Sequence, residues 1–171
     1  MYSAHLFVPL KAFYIKMEEK KEIAERVRTL RTYMQEKGLQ AFIFPSTDPH
    51  CGEYVPEHWM TRQWISGFDG SAGTAVVTLE DAALWTDSRY FIAAADQLDG
   101  TPFRLMKDGL EETPTITEWI DRTIKSSKSK IQLSTSVGIN GWVNMMADVR
   151  CMMEKAEKAG LQLYIGNDPA D

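Results

Sequence analysis

Between Glu19 and Lys37 the apolar residues Ile23, Val27, Leu30 and Met34 recur at steps of 4, 3 and 4, which places them on one face of a helix that Gly38 stops. Leu39 to Phe44 is a short apolar run closed by Pro45, the pattern of a buried strand. A polar and aromatic loop, Ser46 to Pro56, leads to a helical stretch around Glu57 to Trp64. After the turn-rich segment Gly67 to Gly73, Thr74 to Thr78 and Ala83 to Thr86 read as two strands of a hairpin around Glu80-Asp81. Asp87 is placed to cap a helix from Ser88 to Leu98. Phe103 to Lys107 reads as a further strand, and Asp108-Gly109 as a turn. Thr115 and Glu118 stand in the T-x-x-E spacing of a capping box, with Ile116, Trp119, Ile120 and Ile124 as the apolar face behind it. Lys125 to Lys130 is a solvated loop, and Val137 to Ile139 a short strand. A methionine-rich helix then follows Asn140 to Lys158, and Leu161 to Ile165 is the last strand. Helices and strands that interleave around one hairpin predict an α/β fold, a mixed sheet covered on both faces by helices in three layers. No internal repeat or linker divides the chain.

Two features adjust this outline at its ends. Met17-Glu18-Glu19-Lys20 opens just ahead of the first helix, so residues 1–16 are expected to be an N-terminal extension upstream of an alternative start, and 17–171 the single domain. The apolar stretch before Leu10 is no secretory signal, because Lys11 and Lys16 follow it instead of preceding it. The longest purely apolar run, Tyr90 to Ala95, is far shorter than the roughly 20 residues a membrane span needs.

With 171 residues, 44% hydrophobic and 25% charged, the chain can bury a sizeable core. Nineteen basic against 24 acidic side chains leave a net charge of −5, the wrong sign for neutralising nucleic-acid phosphates. Cys51 and Cys151 lie far apart with no C-x-x-C pairing, which fits a reducing compartment and a cytoplasmic location.

Several groups invite chemistry. Gly67, Gly70 and Gly73 would let amides approach a phosphate, yet G-x-x-G-x-x-G followed by a strand matches neither phosphate-binding fingerprint and reads better as a structural turn. Ser71, with His50 and either Asp69 or Asp87, supplies the residue types of a nucleophilic triad but lacks the G-x-S-x-G elbow. Asp48, His50, Cys51 and Glu53 carry metal-ligating atoms within six residues, without a recognised ligand spacing. His5 and His58 are isolated. Met145, Met146, Met152 and Met153 flank Val149 at helical spacing and read as core filling rather than a soft-metal or peptide groove. Trp59, Trp64, Trp85, Trp119 and Trp142 read mainly as buried area, with one or two free to line a groove. Arg89 is different, because it follows a strand's C-terminal end, where open α/β sheets place ligand contacts; the alternative is a salt bridge to a nearby aspartate.

Beyond these single residues, Phe44-Pro45-Ser46-x-Asp48-x-His50, Glu53-Tyr54, Ser66-Gly67-Phe68-Asp69-Gly70-Ser71-Ala72-Gly73-Thr74-Ala75 and Trp85-Thr86-Asp87-x-Arg89-Tyr90-Phe91 together resemble the N-terminal domain of three-domain Xaa-Pro aminopeptidases, the creatinase/prolidase N-terminal fold. Leu105-Met106-Lys107-x-Gly109-Leu110, Thr113-Pro114-Thr115, Trp119 and Val137-Gly138-Ile139 agree with it. Asn140, where an acidic residue is expected, and Ser88, where glycine is common, depart from the pattern. The resemblance implies a ribonuclease-H-like three-layer fold in a cytosolic, homodimeric metallopeptidase that removes the residue preceding proline from a peptide's N-terminus. Its two manganese ions, or similar divalent metals, would lie in a C-terminal pita-bread domain, so this chain would hold neither metal ligands nor catalytic residues. Its own part would be to shape the substrate cleft and the dimer, and the resemblance assigns Arg89, oriented by Asp87, and then Tyr90 to the substrate side. A free-standing peptide-binding or dimerisation module, and the first domain of a prolidase or creatinase-type hydrolase, remain open alternatives.

Overall fold

The computed structural model describes residues 10–126, 136–158, 160–167 and 169. The extension as far as Pro9, His5 within it, residues 127–130 of the solvated loop and Asp168 lie outside the described residues. In chain order the elements are α1 (Leu10–Lys37), β1 (Leu39–Phe44), a 3₁₀ turn (Glu57–Trp59), α2 (Thr61–Ser66), β2 (Thr74–Thr78), β3 (Ala82–Thr86), α3 (Phe91–Leu98), β4 (Phe103–Lys107), α4 (Ile116–Ser126), β5 (Ser136–Asn140), α5 (Met146–Lys158) and β6 (Gln162–Gly166). Among the described residues the strands form one six-stranded sheet in the order β4-β3-β2-β1-β5-β6. Only β2 runs against its neighbours; β3–β4, β1–β5 and β5–β6 are parallel. Five strands therefore point the same way, and their C-terminal ends gather along one edge of the sheet.

The pleat sends alternate side chains to opposite faces. On one face Phe42, Phe44, Ala75, Val77, Leu84 and Phe103 pack under the stripe Ile23, Val27, Leu30 and Met34 of α1, with Ile65 of α2 and Ala94 and Leu98 of α3. On the other, Ala41, Ile43, Val76, Trp85 and Ile139 pack under Trp119 and Ile120 of α4 and Val149 and Ala156 of α5. This is the three-layer mixed-sheet α/β fold that the patterning predicts. Each fully buried Phe, Ile, Leu or Val contributes about 1.5–3 kcal/mol to holding the layers together.

The register of β1 slips against β5 between Leu39 and Ala41, so that two residues on one strand answer one on the other. That bulge puts Leu39 and Phe42 on the same face although three positions separate them. Both press on Gly138 of β5, where a Cβ would stand 2.5 Å from Phe42 Cδ2 and 3.0 Å from Leu39 Cδ1.

Three boundaries differ from the sequence expectation. α1 begins at Leu10, well ahead of Glu19, because the chain between carries no Gly or Pro to break it. α3 starts at Phe91, not Ser88, since the Asp87 carboxylate accepts the Arg89 amide in a turn and leaves Tyr90 at the N-cap position. α5 starts at Met146, after a turn in which Asn140 Oδ1 accepts the Trp142 amide at 2.9 Å, a role its side-chain carbonyl fills as a carboxylate would. The capping box of α4 forms as its spacing requires, with Thr115 N–H donating to Glu118 Oε2 and Glu118 N–H to Thr115 Oγ1.

Candidate functional site

The edge where the strands end carries two hollows, both bordered by the segment Gly67 to Ala75. The first, about 620 Å³, is lined by Ala72, Gly73, Trp85, Asp87, Asp108 and Lys155 among others. The second, about 250 Å³, includes Ser46, Tyr54, Trp59, Arg62, Gly70 and Ser71.

The glycine-rich segment between them is held by its own carbonyls. Arg62 donates from Nη1 to Phe68 O at 2.8 Å and from Nη2 to Gly70 O. Thr86 Oγ1 donates to Ala72 O at 2.6 Å, and Ser46 Oγ to Gly73 O at 2.7 Å. Gln97 of α3 both accepts the Asp69 amide and donates to the Asp69 carboxylate. Donors from α2, α3, β3 and the end of β1 thus fix one loop. The glycines make the approach possible: Gly67 ends α2 at φ +75°, and a Cβ on Gly70 would stand 2.3 Å from Phe68 Cζ. The loop is thus held from several sides by side-chain hydrogen bonds to its backbone, the structural turn that its spacing suggests.

Arg62 went unmarked in the sequence. It is buried to 6% exposure, its guanidinium lies 4.9 Å over the Phe68 ring, and its Nε has no hydrogen-bond partner among the described residues. Desolvation lowers its pKa to about 10. The one signal in the sequence is its position in a short helix directly preceding S-G-F-D-G, close enough to reach the loop's carbonyls.

Arg89, Asp87 and Tyr90 sit where the sequence reading puts them, just past the C-terminal end of β3. Arg89 grips Asp87 in a two-point pair, Nε to Oδ1 at 2.9 Å and Nη2 to Oδ2 at 2.8 Å, and the same Oδ1 accepts the Arg89 amide. The guanidinium also lies 5.3 Å over the Tyr90 ring, whose hydroxyl is 2.6 Å from Ser71 Oγ. The salt bridge and the edge position are therefore both present, and Arg89, at 67% side-chain exposure, keeps donors open toward solvent. Hydrogen bonding from Arg89 holds the Asp87 carboxyl below its ordinary pKa, so the ion pair persists above the usual carboxylate range and is lost only as the pH falls through that lowered value. In Arg89→Ala the Asp87 pKa is expected to return upward, which a carboxyl-carbon NMR titration of both proteins checks.

The other candidates fall apart. Ser71 is tied to Tyr90, Asp69 to Gln97 and Asp87 to Arg89, which leaves no triad. Asp48, buried at 3% exposure, spends Oδ1 on the amides of His50 and Gly52 at 2.9 and 3.1 Å, organising a loop in which Cys51 takes φ 53°. Among the described residues no three His, Cys, Asp or Glu side chains stand together as metal ligands. Cys51 and Cys151 are free and exposed. Among the described residues no helix is long and apolar enough to cross a membrane. Of the four methionines expected to fill core, only Met152 packs against it; Met145, Met146 and Met153 are exposed, because the inward face of α5 is taken by Val149 and Ala156.

Comparison with known proteins converges on one group. The Creatinase/Prolidase N-terminal domain model matches residues 26–162. The chain is 41% identical over 139 residues to a probable Xaa-Pro aminopeptidase P of Fusarium vanettenii, covering 81% of this chain and 21% of the relative. It is 42% identical over 144 residues to the corresponding protein of Botryotinia fuckeliana, covering 84% and 20%. Among solved structures, the X-prolyl aminopeptidase of Caenorhabditis elegans, described as a cytosolic enzyme with a di-nuclear active site, superposes with a TM-score of 0.68 at 28% identity, over 90% of this chain and 24% of that one. The chain thus spans about a fifth to a quarter of the length of these relatives.

Proposed function

The chain belongs to the creatinase/prolidase N-terminal domain family, and from that membership we propose that it serves as the first domain of a Xaa-Pro aminopeptidase, an enzyme that hydrolyses the bond between a peptide's first residue and a following proline. Identity above 40% to such peptidases over four-fifths of the chain carries the reading. The two metal ions, manganese or a similar divalent cation, belong to the remainder of the polypeptide. The described residues here do not fit them, since Asp48 gives one carboxylate oxygen to two backbone amides and no three His, Cys, Asp or Glu side chains among them stand together as ligands. The catalytic residues lie in that remainder as well, and this domain alone is inactive.

What this domain contributes is a wall. The sheet edge with its two hollows shapes the mouth of a peptide cleft, and the domain takes part in a cytosolic homodimer. Arg89 presents its free guanidinium donors to a peptide carbonyl or carboxylate, a match for its planar fork. Asp87 holds that fork in one orientation through two hydrogen bonds, and Tyr90 backs it with its ring. Ser71 in turn holds the Tyr90 hydroxyl.

The full open reading frame and this chain, assayed side by side with manganese on a short peptide whose second residue is proline, test the reading. Cleavage by the long form alone is expected. Arg89→Ala in that form is expected to lower kcat/KM about 10- to 100-fold, the loss of one charge-assisted hydrogen bond. An inert long form would turn the assignment toward a peptide-binding or dimerisation module without catalysis.

A further inference from the structure

The two edges of the sheet are finished differently. At β4, Arg104 reaches Asp81 at 3.7 Å and Lys107 lies 5.6 Å over the Phe91 ring, so charge blunts that edge. β6, Gln162-Leu163-Tyr164-Ile165-Gly166, carries no charge at all and pairs only with β5 among the described residues. Such an edge invites another element. Beside it the turn after β5 and the start of α5 expose Trp142 at 67%, Met145 at 54% and Met146 at 67%, with Ile165 at 51%. The turn and the strand adjoin, because Gly141, the residue before Trp142, donates its N–H to Gly166 O at 2.9 Å and a Cβ on it would meet Ile165 Cγ2 at 2.7 Å. Four large exposed apolar side chains beside an uncharged strand edge, with Asp148 and Arg150 exposed at the rim on α5, mark an interface rather than scattered exposure.

We propose that this face is covered by the domain that follows in the same polypeptide, an inference that rests on the reading of the chain as part of a longer enzyme. Two observations select that occupant. The family matched is an N-terminal domain, and the match covers only about a fifth of the relatives' length. The chain also leaves β6 at Gly166, the residue hydrogen-bonded to Gly141 next to Trp142, so whatever follows starts out at the patch. Tethering at that point gives the following domain a local concentration in the millimolar range, enough for a modest apolar surface to hold it. The partner chemistry is accordingly apolar at its centre, with backbone groups free to pair with β6 and polar groups at the rim to meet Asp148 and Arg150.

Peroxide oxidation of methionine, followed by mass spectrometry, tests this on the 171-residue chain and on the full reading frame. Met145 and Met146 are expected to oxidise about tenfold more slowly in the long form, with Met17, exposed on α1, unchanged between the two. The double variant Trp142→Asp, Met146→Glu should leave the Tm of the short chain within about 1 °C, as surface changes do, and restore fast oxidation of Met145 in the long form. Equal oxidation in both forms overturns the proposal. Protection already present in the short chain and rising with its concentration also overturns it, and assigns the face to a second copy. Proline-peptide cleavage measured on the same samples keeps the two readings apart: an active long form with unprotected methionines sinks only the docking, and an inert long form with protected ones sinks only the peptidase.

Discussion

Arg62→Ala is expected to destabilise the domain by about 3 kcal/mol, because it strands the buried carbonyls of Phe68 and Gly70, each worth about 1–3 kcal/mol when left unpaired, against which the relief of a buried charge counts only in part. Burial of the Arg62 charge lowers its pKa and works against folding at neutral pH, so the guanidinium is kept for the two acceptors it satisfies and not for its own sake. Lysine cannot span both carbonyls, so Arg62→Lys should recover little of the loss. Chemical denaturation of the three proteins measures this, with a fall in Tm of roughly 6–12 °C accompanying it. If Arg62→Ala unfolds within 1 kcal/mol of the parent, the loop is held by its other donors alone.

Gly138→Ala is the second large effect, also about 3 kcal/mol. Its Cβ would fall 2.5 Å from Phe42 Cδ2 and 2.8 Å from Cε2, and Phe42 is fully buried with its ring 4.9 Å from that of Phe44. No solvent-facing rotamer is open to such a ring, so the strain passes into β1 and β5. Phe42→Leu in the Gly138→Ala background should return part of the stability by making room, whereas Phe42→Leu alone should cost stability by leaving a void. That reversal of sign, read by urea titration of the four proteins, separates a steric collision from a simple loss of strand propensity.

Most of the architecture is legible in the chain itself. The steps of 4, 3 and 4 in α1, the T-x-x-E of α4 and the apolar runs bounded by Gly, Pro and Asp are local signals, and local signals place elements. What escaped depends on contacts across the fold. The bulge at Leu39–Ala41 exists only because β5 arrives beside β1, and Gly138 is small only because Phe42 needs its space. Asp87 carries the residue type of a helix cap, yet its carboxylate is consumed by Arg89, a competition that residue preference alone does not resolve. The site is legible to a similar degree. Asp87, Arg89 and Tyr90 come together because they are neighbours in sequence, whereas Arg62 joins them through a loop closed from four separate elements.

One pairing also sets a timetable. Ile43 of β1 lies against Ile139 of β5, so the central strand of the sheet waits for a partner that the ribosome makes 96 residues later. At about 5–20 residues per second that interval is roughly 5–20 s, during which the nascent chain holds an apolar strand with one flank open, although the β2–β3 hairpin can already close the other. Chaperone engagement is therefore expected in that window and not after it, and a slow-codon stretch placed between the two strands should lower the yield of native protein more than one placed beyond β6.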